Sequence, residues 1–245
     1  MSFIVENAYQ VMSLGQQKLE ASAHNIANAS TSGYKSYAID SFDVTPDARN
    51  QSRRISNDAA VHLANNMAQG DLVRTGNQLD IAISGAGMFL VRGGDAMFYT
   101  RQGDFSLSPE GHIVNAQGFV LQSEDGDLAI SGQKLEIMPD GIVLEDDVPI
   151  ARIPIFAPVD DGEQAGGGWN RLEAVSGAIF RAGESGMREV DEPVLRQGFL
   201  ESSNVSATTE MVRMMAALRE AEAGAKLVQV YDELMGQAIS TFGQS

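Results

Sequence analysis

The spacing of apolar and polar positions divides the chain into two helical ends and a strand-rich middle. Residues 3–29 contain no proline and a single glycine, Gly15. Val5, Met12, Leu19 and Ile26 recur at seven-residue intervals, and Ala8, Gly15, Ser22 and Ala29 recur at the companion position. This is a large/small seam at coiled-coil spacing, which predicts a helix whose small residues let a partner come close. At 1.5 Å per residue, about 25 residues make a rod of roughly 37 Å. Ser30-Thr31-Ser32-Gly33 is a stop signal, with Gly33 free to take a positive φ.

The far end mirrors this. From about residue 207 to 240 there is no proline, and only Gly224 and Gly236 interrupt. The seam predicted there is Met211, Met214, Leu218, Ala221, Ala225, Val228, Met235 and Ile239, broken once by Asp232. Leu227, Tyr231 and Leu234 form a second apolar face, and a helix with two such faces wants more than one neighbour. Ser206 suits the N-cap, with Glu210 in the first turn favourable to the helix dipole. Gly224, in mid-helix, costs roughly 1 kcal/mol relative to Ala.

Between the ends, turn residues punctuate the chain at short intervals. Leu79 to Ile83 alternates, and short strands are predicted at 88–91, 97–100, 105–107, 113–115, 119–121, 128–130, 135–137, 142–144 and 150–156. Gly93-Gly94, Pro109-Glu110-Gly111, Gln117-Gly118, Asp125-Gly126 and Asp140-Gly141 separate them, the Asp-Gly pairs being hairpin signals. The class is α+β: the N- and C-terminal helices paired as an antiparallel coiled coil, with a central antiparallel β domain, sandwich-like or barrel-like. The expected division is 1–30 with 205–245 as the helical domain, 31–70 as an irregular linking segment, and 71–204 as the β-rich domain. Residues 160–168 (DDGEQAGGG) read as a flexible acidic loop.

Charge narrows the function. Lys plus Arg is 17 and Asp plus Glu is 33, a net of −16, which argues against nucleic acid and against an anionic membrane surface. Eleven acids lie between Glu124 and Glu163, opposed only by Lys134 and Arg152, and they read as a solvated rim. There is no cysteine, so thiolate chemistry, Cys-ligated zinc and disulfides are excluded. No apolar run is long enough to span a membrane, and the N-terminus does not read as a secretory signal.

Candidate chemistry is thin. His24, His62 and His112 show no ligand spacing, and no calcium loop pattern is present. Gly85-Ala86-Gly87 begins like a dinucleotide fingerprint but has Leu90 where the third glycine belongs, and it reads as a hairpin turn. Gly183-Glu184-Ser185-Gly186-Met187 lacks the last glycine of a nucleophile elbow. Trp169 is the one Trp that could serve as a sugar platform. No catalytic, cofactor-binding or metal residue is assigned, and no small-molecule substrate is expected.

Four strings carry a resemblance. NIANASTSGYKS (Asn25 to Ser36), QGDLVRTGNQLDIAISGAGMFLV (Gln69 to Val91), FYTRQGDFSLSPEGHIVNAQGFVL (Phe98 to Leu121) and QGFLESSNVSATTEMVRMM (Gln197 to Met215) stand in order along the chain. They resemble the signature blocks of the bacterial flagellar rod and hook proteins. Length and the stretch YDELMGQAIS are most similar to the proximal rod members, with the somewhat longer distal rod members as close relatives. The resemblance implies export by the flagellar type III apparatus without a cleaved leader and assembly in the periplasmic space as a hollow helical rod. It implies other rod proteins and copies of the chain as partners, and no catalytic residues. A secreted binding module or adhesin with coiled-coil arms is the competing class.

Overall fold

The structure, a computed structural model, describes residues 2–40, 62–131, 134–159, 169, 172–183 and 186–242. The expected linking residues 41–61 and the acidic loop 160–168 fall outside the described residues. Two helices flank the strands: α1 (Ser2–Ala27) and α2 (Ala207–Phe242). The strands are β1 (Tyr37–Asp40), β2 (His62–Asn65), β3 (Leu72–Arg74), β4 (Ile81–Ile83), β5 (Met88–Gly93), β6 (Ala96–Thr100), β7 (Phe105–Leu107), β8 (Ile113–Asn115), β9 (Val120–Ser123) and β10 (Gly126–Asp127). They continue as β11 (Leu135–Ile137), β12 (Ile142–Glu145), β13 (Val148–Arg152), β14 (Ile155–Pro158), β15 (Glu173–Ser176), β16 (Ile179–Arg181), β17 (Met187–Glu189), β18 (Leu195–Gln197) and β19 (Phe199–Glu201). The described chain forms two compact units. One comprises Met1–Ala27, Tyr37–Ala64 and Ser206–Ser245; the other comprises Asn28–Ser36 and Asn65–Val205.

In the β unit, the largest sheet runs β15-β16-β6-β5-β9-β8-β7, with β14 on β5, β17 on β14 and β10 on β9. β11-β12-β13 form a three-stranded sheet, and β18-β4 and β19-β3 are two-stranded. The pairings are antiparallel. β5 lies at the centre of this arrangement. Phe89 and Val91 point into the main cluster, which holds Ile81, Ile113, Leu121, Ile153 and Ile155, while Met88 points the other way onto Leu172 and Phe180. Side chains two apart share a strand face, so burial on both faces explains why β5 reads as a continuous apolar run and not an alternation. Phe89 meets Phe105 edge to face at 5.6 Å between centroids.

The turns at 109–111, 117–118 and 140–141 sit where the sequence put them, and two others shift by one residue. Gly85-Ala86-Gly87, expected as a hairpin turn, instead connects strands of different sheets, since β4 pairs with β18 and not with β5. Gly93 pairs with Ala96 and Ser123 with Gly126, so the tight turns are Gly94-Asp95 and Glu124-Asp125. The β12–β13 turn is Asp146-Asp147, with φ of 50° and 66° at two non-glycine residues. Glu145 pairs with Val148 across it. Both central residues at positive φ is the hairpin geometry that matches strand twist, and Asp tolerates it better than most side chains. The run 128–130 is not an extended strand; Ala129 makes an isolated bridge with His112.

The helical unit is held by close backbone approach. A Cβ on Gly224 would lie 3.0 Å from the Ala8 carbonyl oxygen and from the Met12 nitrogen. A Cβ on Gly15 would lie 2.9 Å from the Ala221 nitrogen and 3.0 Å from the Ala217 carbonyl oxygen. Lys18 Nζ pairs with Glu220 Oε2 at 2.8 Å. Gly224, a cost to an isolated helix, is thus the residue that admits α1. At the end of α1, the Asn25 side-chain amide bonds both backbone groups of Tyr37, donating to its oxygen at 2.9 Å and accepting from its nitrogen at 2.8 Å. This ties β1 to the helices.

Candidate functional site

The helical unit carries the residues that the sequence singled out. On α1, Ala8, Gly15 and Ser22 are buried, and Met12, Leu19 and Ile26 are half-buried. On α2, Glu210, Ala217 and Gly224 are buried, and Met214, Ala221, Val228, Tyr231 and Met235 are half-buried. The side chains of Val5 and Ile239 lie outside the described residues. Within the chain, the α2 seam therefore runs 210, 214, 217, 221, 224, 228, 231, 235, the alternating four-and-three step of a heptad. Half of it (Met214, Ala221, Val228, Met235) coincides with the expected seam. The other half is turned by one residue: Met211 and Leu218 are 50% and 43% exposed, and Ala225 is half-buried. The reason is size. Turning Ala217 and Gly224 inward brings the helix backbones into contact, whereas Leu218 there would hold them apart.

The larger side chains are left on the outside. Met211 and Leu218 each follow a buried seam position by one residue, so they lie on one flank of the seam. Leu227 and Leu234, 52% and 59% exposed, each precede a seam position by one residue, so they lie on the other flank. Met215 adds to the first flank and Val230 to the second. The N-terminal half of α2 thus shows one apolar flank to solvent and the C-terminal half shows the opposite one.

Ser206 begins α2, its carbonyl accepting the Glu210 amide at 3.0 Å and its hydroxyl accepting the Thr209 hydroxyl at 3.0 Å. Glu210 is buried and pairs with Arg213 at 2.6 Å. Between these charges and the Lys18–Glu220 pair lies a hollow of about 360 Å³ floored by Ala21 and Ala217, with Tyr37 at its edge. Burial raises the Tyr37 hydroxyl above its ordinary pKa. Each of the two carboxylates lining the hollow is paired with a cation, Glu220 with Lys18 and Glu210 with Arg213, and Ser22 and Tyr37 supply its hydroxyls. Among the described residues, no cluster of three metal-ligating side chains occurs.

A second constellation, in the β unit, was not anticipated. Lys35, Arg101 and Glu201 are 1%, 4% and 1% exposed at their side chains. Glu201 Oε1 accepts from Lys35 Nζ at 2.5 Å and from the Gly70 amide at 3.0 Å, and Oε2 accepts from Arg101 Nη1 at 3.0 Å. Lys35 also donates to the Ala68 oxygen at 2.8 Å, and Arg101 Nη2 to the Gly85 oxygen at 2.5 Å. Burial pushes the Lys35 ammonium below its ordinary pKa, an effect the Glu201 carboxylate opposes. Around this node, residues 33–36 lie along 201–204. Gly33 N donates to the Glu201 oxygen at 2.7 Å, and Ser36 N donates to Asn204 Oδ1 at 2.8 Å. Gly33 has φ +64°, and a Cβ there would lie 2.3 Å from the Arg101 carbonyl carbon, so no other residue fits without displacing backbone. The signal in the sequence was the presence of one charge in each of three strings, GYKS, YTRQG and FLESS.

The remaining expected candidates are placed without convergence. Gly85-Ala86-Gly87 joins β4 to β5, and Ser185 lies outside the described residues. Of the acidic segment, Lys134 pairs with Asp147 at 2.6 Å, Arg152 with Glu124 at 2.5 Å and Glu189 at 3.0 Å, and Asp127 with Arg92.

Three family models match the chain. Residues 8–35 match a flagella basal body rod protein model, residues 82–148 the flagellar hook protein FlgE/F/G D1 domain, and residues 196–241 the flagellar basal body rod FlgEFG protein C-terminal model. Curated relatives match almost end to end. The flagellar basal-body rod protein FlgF of Caulobacter vibrioides is 28% identical over 238 residues, 94% of this chain and 93% of the relative. FlgG of Bacillus subtilis is 29% identical over 249 residues, 92% and 93% of the two chains. FlgF of Escherichia coli is 28% identical over 242 residues, 92% and 91%.

Proposed function

This chain belongs to the flagellar basal-body rod protein family and is a structural subunit of the flagellar rod, and from that premise we propose that its terminal helices, as an antiparallel coiled coil, form the surface by which it joins neighbouring subunits. Contacts supporting the antiparallel order run Ala8 and Met12 with Gly224, Gly15 with Ala217 and Ala221, and Lys18 with Glu220. The observation that carries the assembly reading is the pair of open apolar flanks on α2, Met211 with Leu218 and Leu227 with Leu234. Each such side chain covered by a neighbour contributes roughly 1.5–3 kcal/mol, offset by ordering entropy.

The place along the shaft that fits best is the proximal rod, as a FlgF-like member. The Bacillus subtilis FlgG relative, of equal similarity and coverage, keeps the distal rod as the second reading. In either place the subunit repeats with a rise and a twist into a hollow, torque-bearing tube. The export route in this reading is through the flagellar apparatus to the periplasm. The surface is one for assembly. An adhesin-like binding module would instead give a uniform trimer in solution.

Leu218→Asp tests the surface, because that side chain is 43% exposed in the lone chain and lies beside the seam, not in it. The expected outcome is unchanged unfolding of the purified subunit with loss of rod assembly and swimming. Normal swimming at wild-type protein level refutes the surface. The stage at which the rod halts on deletion of the chain, before or after the distal section, separates the two positions.

A further inference from the structure

We propose that the Lys35–Glu201–Arg101 node is an ordered latch: the segment 28–36 docks into the β unit only after the strand 199–201 is in place, and not the reverse. The asymmetry follows from counting buried charge. With all three present, one carboxylate faces two cations, and its oxygens are shared among Lys35, Arg101 and the Gly70 amide. If 28–36 withdraws, Lys35 leaves with it. Glu201 and Arg101 remain as a neutral pair at 3.0 Å, still supported by Gly70 N on the carboxylate and by the Ile83 and Gly85 oxygens on the guanidinium. That remnant is a tolerable buried ion pair.

If 199–201 withdraws while 28–36 stays, Lys35 and Arg101 are left buried without a counter-charge. Uncompensated buried charge is strongly penalised, far more than loss of a paired contact. Backbone bonding runs the same way. β19 has its own ladder to β3, with Leu72 opposite Glu201, Val73 opposite Leu200 and Arg74 opposite Phe199, and Ser202 N donates to the Asp71 oxygen at 2.8 Å. None of these bonds involves 28–36. By contrast, Gly33 N and Ser36 N bond to Glu201 and Asn204 themselves. Beyond 199–201, Asn204 N donates to the Tyr34 oxygen at 3.4 Å, and 28–36 also meets Asn66 N through the Ser36 oxygen at 2.8 Å and Asp104 through Ser32 Oγ at 2.6 Å. The asymmetry therefore rests on β19, whose ladder to β3 needs none of 28–36, and on the buried charges. The segment made earlier thus docks after the strand made later.

Hydrogen exchange on the full chain reads the order. In the wild-type protein under increasing mild denaturant, the Gly33 and Ser36 amides are expected to open at lower denaturant than Ser202 and the β19 amides. Lys35→Met is expected to speed exchange at Gly33 and Ser36 while leaving Ser202 and β19 within about 3-fold of wild type. Glu201→Gln is expected to speed exchange at Gly33 and Ser36 by at least about 30-fold, with β5 and β8 unchanged. Coincident or reversed opening in the wild type overturns the latch. So does a Lys35→Met protein that exposes 199–202 as much as 33–36, or a Glu201→Gln protein that keeps 33–36 protected. Should Glu201→Gln fail to fold, the wild-type order and Lys35→Met decide by themselves.

Discussion

Two glycines in α2 allow the same substitution to be made with opposite expected signs. Nothing lies within 4 Å of a Cβ built on Gly236. Gly236→Ala therefore collects the difference in helix propensity alone, a stabilisation of about 1 kcal/mol. Gly224→Ala collects the same gain but sets its methyl 3.0 Å from Ala8 O and Met12 N and 3.2 Å from Met12 Cβ. The first two are backbone atoms of α1, which cannot rotate away, so the helices must part by a few tenths of an ångström along a seam with no slack. Overpacking of this kind costs about 1–3 kcal/mol. The net result at Gly224 is a loss of about 0–2 kcal/mol, and the two variants should differ by about 1–3 kcal/mol. Gly15→Ala, which meets Ala221 N at 2.9 Å and Ala217 O at 3.0 Å, should behave like Gly224→Ala from the other helix. Denaturant unfolding followed by far-ultraviolet circular dichroism measures all three. If Gly224→Ala and Gly15→Ala stabilise as much as Gly236→Ala, α1 and α2 are not in backbone contact and the seam described above is wrong.

Two further outcomes concern the β unit. Hydrogen bonds from Arg92, then Gln122, hold the Asp127 carboxyl at a pKa of about 2, below its ordinary 3.8. A depressed folded-state value contributes stability that is complete above 3.8 and fades as pH falls from there toward 2. The wild type should therefore melt above Asp127→Asn at pH 6 and lose that advantage across this window, and a pH-independent gap in Tm would contradict the assignment. Asp147→Gly relieves a non-glycine residue at φ 66° in the β12–β13 turn and should stabilise by about 0.5–1 kcal/mol in urea unfolding, although it gives up an exposed pair with Lys134.

The sequence revealed most where a pattern repeats over many residues. Both helices, their stop and start signals and the strands β5 to β9, β11 and β12 were legible because periodicity and turn residues agree there, whereas 128–130 was expected as a strand and makes only an isolated bridge. The phase of α2 was half legible. Hydrophobicity favours Met211 and Leu218 for the seam, but contact distance favours Ala217 and Gly224, and closeness of backbones leaves no mark on an apolar count. Strands β15 to β19 were not resolved individually, because Glu173–Ser176 and Met187–Glu189 are short, charged and largely exposed, with no alternation to read. The buried node was invisible for a related reason. A lone Lys, Arg or Glu in a sequence reads as surface, and only the fold shows that positions 35, 101 and 201 neutralise one another.

The opposed flanks of α2 have a mechanical corollary. A neighbour lying along Met211 and Leu218 leaves Leu227 and Leu234 wet, and a neighbour on the latter leaves the former wet. Full cover takes contacts on opposite sides of the two halves of the helix, as lapped tiles have. In the shaft proposed above, contacts lapped in this way would carry twist as shear along the apolar strips.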